Sequence, residues 1–300
     1  MIFNAVEIMT PILLAALGGL FAELAGVLNI ALEGLILAGA FAGILAGAAS
    51  GSLVVGMLAG ALAGGLLAAV FTFFSIRLRA NIFITGLAVN LLAAGSIPFI
   101  STWMFGTKGV LRFPDLPRLP RLLEGVTSGV GFIDSLLFGH SATVYLAWLL
   151  VPLALVALYR TPFGLRLRAV GAREDSVIIA GVDAVAYRRI AVLISGVAAG
   201  LAGAAISLRL GVYLPNISAG RGWIALVAIY LGYRHPIGIL IAALLFGFTE
   251  SLAGAAQGLL AIPGTVLLGL PYAITVVAMI TYSALRARGQ RRRRFMDAHF

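Results

Sequence analysis

Nine apolar runs divide this chain, near residues 8–28, 30–50, 52–76, 82–105, 142–159, 188–210, 217–232, 236–257 and 262–283. A helix needs about 20 such residues to cross a bilayer, where every backbone polar group must be paired within the segment. The expected fold is therefore all-α: a polytopic membrane bundle of about eight or nine transmembrane segments. Charged residues are 11% of the 300 positions, too few to cover a soluble surface of this size. The 37 glycines suit close approach of helices in lipid rather than disorder.

The net charge is +10, and Lys108 is the only lysine. Such a basic balance could mark nucleic-acid binding. The arginines sit at the edges of apolar runs, however, which is the signature of membrane orientation, so no nucleic-acid partner is expected. Arg77 and Arg79, then Arg160 to Arg189, then Arg286 to Arg294 mark three cytoplasmic segments. The Pro-rich connection 106–141 then lies outside, and its stretch FIDSLLFG suggests an interfacial helix. One transmembrane domain over 1–285 is expected, with a cytoplasmic loop at 160–187 and a basic tail at 286–300. The tail reads as an anchor near anionic lipid.

The N-terminus is outside if all nine runs span, and inside if 30–50 is re-entrant. The first ten residues carry no Lys or Arg, so charge does not decide. With no basic leader and no small-residue cleavage site, no removed signal peptide is expected. The absence of cysteine excludes thiol chemistry and disulfides. No HExxH, Ser/His/Asp spacing or ligand cluster appears, so neither catalysis nor a cofactor is expected.

Polar residues at membrane depth are costly and usually face a bundle interior or an aqueous path. Asn29 and Glu33 cluster with Glu23 in FAELAGVLNIALEGLILAGAF, flanked by Gly26 and Gly34, which suggests a broken helix lining a cavity. The alternative is that Glu33 caps a helix end or pairs with an arginine. Asn90 is a further path candidate, while Glu23 and Glu250 read as structural. Asn216 and Arg221 flank a Gly-Arg-Gly turn that opens an apolar helix, where backbone donors could meet a polar ligand. For Arg221 an interfacial anchor is the competing reading. His140 and His235, at segment edges, read as solvated.

Between Arg160 and Arg189 the chain becomes an island of charge. It contains a candidate helix from Arg173 to Ala180, with Glu174 and Asp175 favourable at its positive N-terminus and Gly181 as a stop. A polar helix held between spans is available to a partner, here expected to be an ATPase.

LNIALEGLILAGAF (28–41), YRTPFGLRLRAVG (159–171), SAGRGWIALVAIYLG (218–232) and HPIGILIAALLFGFTESL (235–252) occur in that order. Together they resemble integral membrane subunits of the ABC importer family for nucleosides and simple sugars, nearest its nucleoside branch. The resemblance implies two permease subunits, here a related but different second chain, two ABC ATPase units and an extracytoplasmic solute-binding protein, in the cytoplasmic (inner) cell membrane. It also implies that Arg173, Glu174, Asp175, Val177, Ala180 and Gly181 meet the ATPase. The chain lacks GxxxxGK[ST], which leaves ATP hydrolysis to another polypeptide. It departs from the family where Glu-Asn-Pro usually follows Gly171; here Ala172-Arg173-Glu174-Asp175 and bulky Val177, Ile178 and Ile179 stand instead. The expected solute is a nucleoside, with a sugar as the close alternative. The rival from another class is a proton-coupled secondary transporter using Glu23, Glu33 or Glu250.

Overall fold

In the computed structural model, residues 1–117, 119–259 and 277 are described. The ninth apolar run and the basic tail fall outside them, as do the side chain of Gln257 and nearly all of 260–300. Among the described residues, seven helices are long and apolar enough to cross a membrane: α1 (Ile2–Leu24), α2 (Leu32–Ser50), α3 (Leu53–Thr72, continued as a π-helix over Phe73–Arg77), α4 (Ile82–Phe105), α6 (Ala142–Tyr159), α9 (Ala184–Leu210) and α11 (Pro236–Leu259). Short helices α5 (Gly131–Leu137), α7 (Pro162–Ala172) and α8 (Glu174–Ile179) lie in the two long connections, and α10 (Arg221–Leu231) precedes α11. Strands β1 (Leu111–Arg112) and β2 (Val212–Tyr213) pair antiparallel and clip the 106–141 connection to the end of α9.

α1 is the central post. Its residues from Met9 to Ala22 are almost all buried, packed by α9, α11 and α10. Lipid offers no hydrophobic drive for helices to associate, so packing relies on small residues that let backbones touch. Gly39 of α2 and Gly60 and Gly64 of α3 meet Gly196 and Gly200 of α9; a Cβ at any of these five would collide with backbone.

Neighbours fix the direction of the first helix. Met1 lies against Ser251, and Glu7 hydrogen-bonds Ser141, beside the 106–141 connection. Gly26, just beyond the other end, faces Gly171 in the Arg160–Arg189 region. α1 therefore crosses completely, and the N-terminus lies on the side opposite the arginine-rich loops.

Several expectations need correction. The first run begins at Ile2, not residue 8, and the sixth at Ala184, not 188. The run 217–232 is not a full span: it forms only α10, too short to cross. Positive φ at Asn216, Ala219 and Gly220 bends the chain until Arg221. His140 is not solvated either. It is 0% exposed, stacked on Phe3 at 4.5 Å, with Nδ1 3.5 Å from Glu7.

Candidate translocation path and coupling loop

Between α1 and α2 the chain is broken inside the bundle. Gly26 turns it with φ +81°, a conformation open to glycine at little cost. Asn29, 1% exposed, donates from Nδ2 to Ser195 Oγ at 2.9 Å, well along α9, while its Oδ1 accepts from Ala31 N at 3.1 Å. Asn90 of α4 reaches both sides of the break: Nδ2 donates to Ile30 O at 2.9 Å, and Oδ1 accepts from Gly34 N at 2.8 Å. Each satisfies a backbone group that would otherwise be unpaired where water is scarce.

Glu33 then joins the two interrupted regions. Its carboxylate accepts from Gly220 N and Gly222 N, both at 2.8 Å, so it caps the positive N-terminus of α10. A Cβ at Gly222 would collide with the Glu33 backbone, which explains glycine there. Arg221 pairs with Glu250 of α11 and donates from Nη1 to Ile217 O at 3.4 Å. Asn29, Glu33, Asn90 and Arg221 thus gather around the two helix starts. Asn216 does not join them; it stands exposed in the preceding loop with φ +58°.

Toward the other end of α1, beside the 106–141 connection, a second charged group lies among α1, α6 and α9. Glu7 accepts from Ser141 N at 2.8 Å and Ser141 Oγ at 2.9 Å, and pairs with Arg209 at 3.4 Å. A cleft of about 580 Å³ opens beside it, bordered by Asn4, Glu7, Arg209, Glu250 and Ser251. Glu7 and Arg209 were not singled out from sequence. Both lie near segment ends, where an ionisable residue usually means only an interface; their partners are far away in the chain.

In the connection between α6 and α9, Thr161 caps α7 by accepting from Gly164 N at 3.2 Å, and Pro162 opens the helix. The expected helix at 173–180 is α8, with Arg173 as its N-cap, Glu174 and Asp175 in its first turn, and Ala180 after its end. Gly181 takes φ +76°. Val177, 7% exposed, packs with Val170 and Ala184 and pins α8 to α7 and α9. Ile179, by contrast, is 88% exposed, and Arg173, Asp175, Ile178 and Ala180 are exposed beside it. Glu174 holds Arg188 through two bonds, at 2.7 and 2.9 Å.

Comparison with known proteins gives this arrangement its context. Residues 1–282 match the family described as branched-chain amino acid transport system / permease component. The chain is 35% identical to the guanosine ABC transporter permease protein NupQ of Bacillus subtilis, over 90% of this chain and 87% of that one. It is 34% identical to TsgC13 of Haloferax volcanii, provisionally named a glucose ABC transporter permease, over 95% and 92%. Its fold is similar to that of a solved structure, the inward-facing conformation of a protein provisionally assigned as a metal-chelate type ABC transporter. There the TM-score is 0.54 at 17% identity, covering 92% of this chain and 85% of that one.

Proposed function

Because the chain belongs to the branched-chain amino acid transport system / permease component family, and is thus a multi-pass ABC transporter permease, we propose that it imports an uncharged polar solute, a nucleoside first. ATP would be hydrolysed on a separate subunit. The observation that carries the uncharged-solute reading is the state of the charges around the junction and cleft. Glu33 is held by two backbone N–H groups, Glu250 by Arg221, and Glu7 by Arg209 and Ser141. An amino-acid zwitterion is best met by charges free to face its carboxylate and ammonium, and here these carboxylates are already engaged, Glu33 by backbone donors and Glu250 and Glu7 by arginines. Ribose hydroxyls and base edges need only hydrogen bonds.

The same pairing weighs against a proton relay, since Glu23 is taken by Arg234 at 2.6 Å and Glu33 and Glu250 as above. Similarity to the guanosine permease favours the nucleoside. A sugar remains the second reading on the near-equal identity to TsgC13. In the proposed assembly, α8 docks in an ABC ATPase through Ile178, Ile179 and Asp175, and a second, related permease completes the path. A solute-binding protein delivers to the 106–141 connection, where Val126, Val130 and Phe132 are exposed. Asn29, Glu33 and Asn90 shape the interrupted helices that border the path. The assembly resides in the cytoplasmic membrane, and residues 1–285 act as one permease domain.

Competition decides the solute. Cells carrying the transporter should take up labelled guanosine in a manner blocked by excess adenosine or uridine and unaffected by leucine. Uptake blocked by glucose instead would select the sugar reading, and uptake of leucine would overturn the uncharged-solute argument.

A further inference from the structure

The bidentate Glu174–Arg188 pair has a third contact. Arg188 Nε donates to Ala25 O at 3.3 Å, so one guanidinium grips α8 and the last turn of α1 together. Ala25 immediately precedes the break. Beside it Gly171, near the C-terminal end of α7, packs so closely on Leu24 O and Gly26 N that a Cβ would collide with both. The helices of the cytoplasmic loop therefore rest directly on the hinge end of the broken helix, and from there the contacts run inward. Asn29 ties the broken segment to Ser195, Asn90 ties it to α4, and Glu33 caps α10.

We infer that Arg188 is the positioning residue that converts displacement of α8 into movement of the α1–α2 break, and through Glu33 into movement of α10. This rests on the reading of α8 as the ATPase contact, and names the route by which its motion enters the membrane. The chemistry requires arginine. A planar guanidinium can present two parallel N–H groups to a carboxylate and a third, at Nε, to a carbonyl on another edge. Lysine keeps the charge but is a point donor that cannot hold both partners in fixed geometry. Arg189, exposed beside it, makes no bond of this kind among the described residues and serves as the control.

A merely stabilising residue would lower the amount of complex without changing what each ATP accomplishes. The full complex, permease with its ATPase and solute-binding protein in proteoliposomes, is therefore assayed for solute moved per ATP hydrolysed. Arg188→Gln and Glu174→Gln should each keep ATP hydrolysis while lowering that ratio about ten-fold, the order expected for losing one charge-assisted contact. The double variant should be no worse than either single one, because the two side chains act as a unit. Arg188→Lys should fall between, and Arg189→Gln should match wild type. If Arg188→Gln impairs assembly, the ratio measured on Arg188→Lys, which retains the charge, decides. An unchanged ratio in Arg188→Gln and Arg188→Lys, with or without loss of complex, makes Arg188 a stabilising residue only and overturns the inference. Failure of the wild-type chain to associate with any ATPase would instead overturn the coupling reading itself.

Discussion

Glu33 bears a stringent local requirement, since its carboxylate holds the start of α10. Each carboxylate oxygen accepts a part-buried backbone N–H group, so Glu33→Gln places an amide NH₂ against one donor and leaves it unpaired. An unsatisfied buried donor costs about 1–3 kcal/mol. Glu33→Gln should lower the melting temperature of the purified permease and reduce uptake, whereas Glu33→Asp, too short to reach both groups, should do comparable harm. Equal melting temperatures for wild type and Glu33→Gln would mean that the cap carries no weight. Sequence alone marked Asn29 and Glu33 as unusual, because polar residues between glycines in an apolar run have few explanations. It left open whether Glu33 lines a cavity or caps a helix, because its partners Gly220 and Gly222 lie far along the chain. His140 was misread for the same reason: the ring's burial depends on Phe3 and Glu7.

Helix α8 was legible in detail, since its acidic first turn, length and glycine stop are all local signals. What sequence could not divide was its two faces. Val177 points inward to Val170 and Ala184, and Ile179 points out. Ile179→Asp should therefore insert normally but weaken recovery of the ATPase, by about ten-fold or more if this exposed side chain is an anchor. Pull-down from solubilised membranes measures this, and undiminished ATPase recovery would move the docking surface elsewhere. Gly181→Val should shorten or distort the end of α8, because a β-branched residue at φ +76° is strained by about 1–2 kcal/mol. α10 shows the opposite case. Its apolar run was long enough to be taken for a span, and only the left-handed residues before Arg221 and the distant Glu33 cap reveal a half-length helix.

Across the whole molecule, the proposed coupling and the orientation stand together: the proposal puts the side that carries α8 toward ATP. The order of the long apolar helices was legible because hydropathy is a local property, but the run 217–232 was counted as a span it does not make, and which loops the two ends of α1 meet required the contacts of Met1 and Gly26. Cysteines placed singly at Thr127 and Ser176 of this cysteine-free chain should report opposite sides. Thr127→Cys should react with an impermeant thiol reagent in intact cells, and Ser176→Cys only after the membrane is opened; the reverse pattern would invert the fold. The central claim is that α8, as a formed helix, drives the path open at the expense of ATP. Proline inside a helix costs about 3 kcal/mol or more, and Val177 lies in α8, outside the bilayer. ATP-dependent guanosine uptake into proteoliposomes bearing the full complex, compared between wild type and Val177→Pro at equal permease content, tests that claim most directly. Abolished uptake in Val177→Pro with normal membrane insertion is the predicted result, and wild-type uptake with full ATPase association would contradict it.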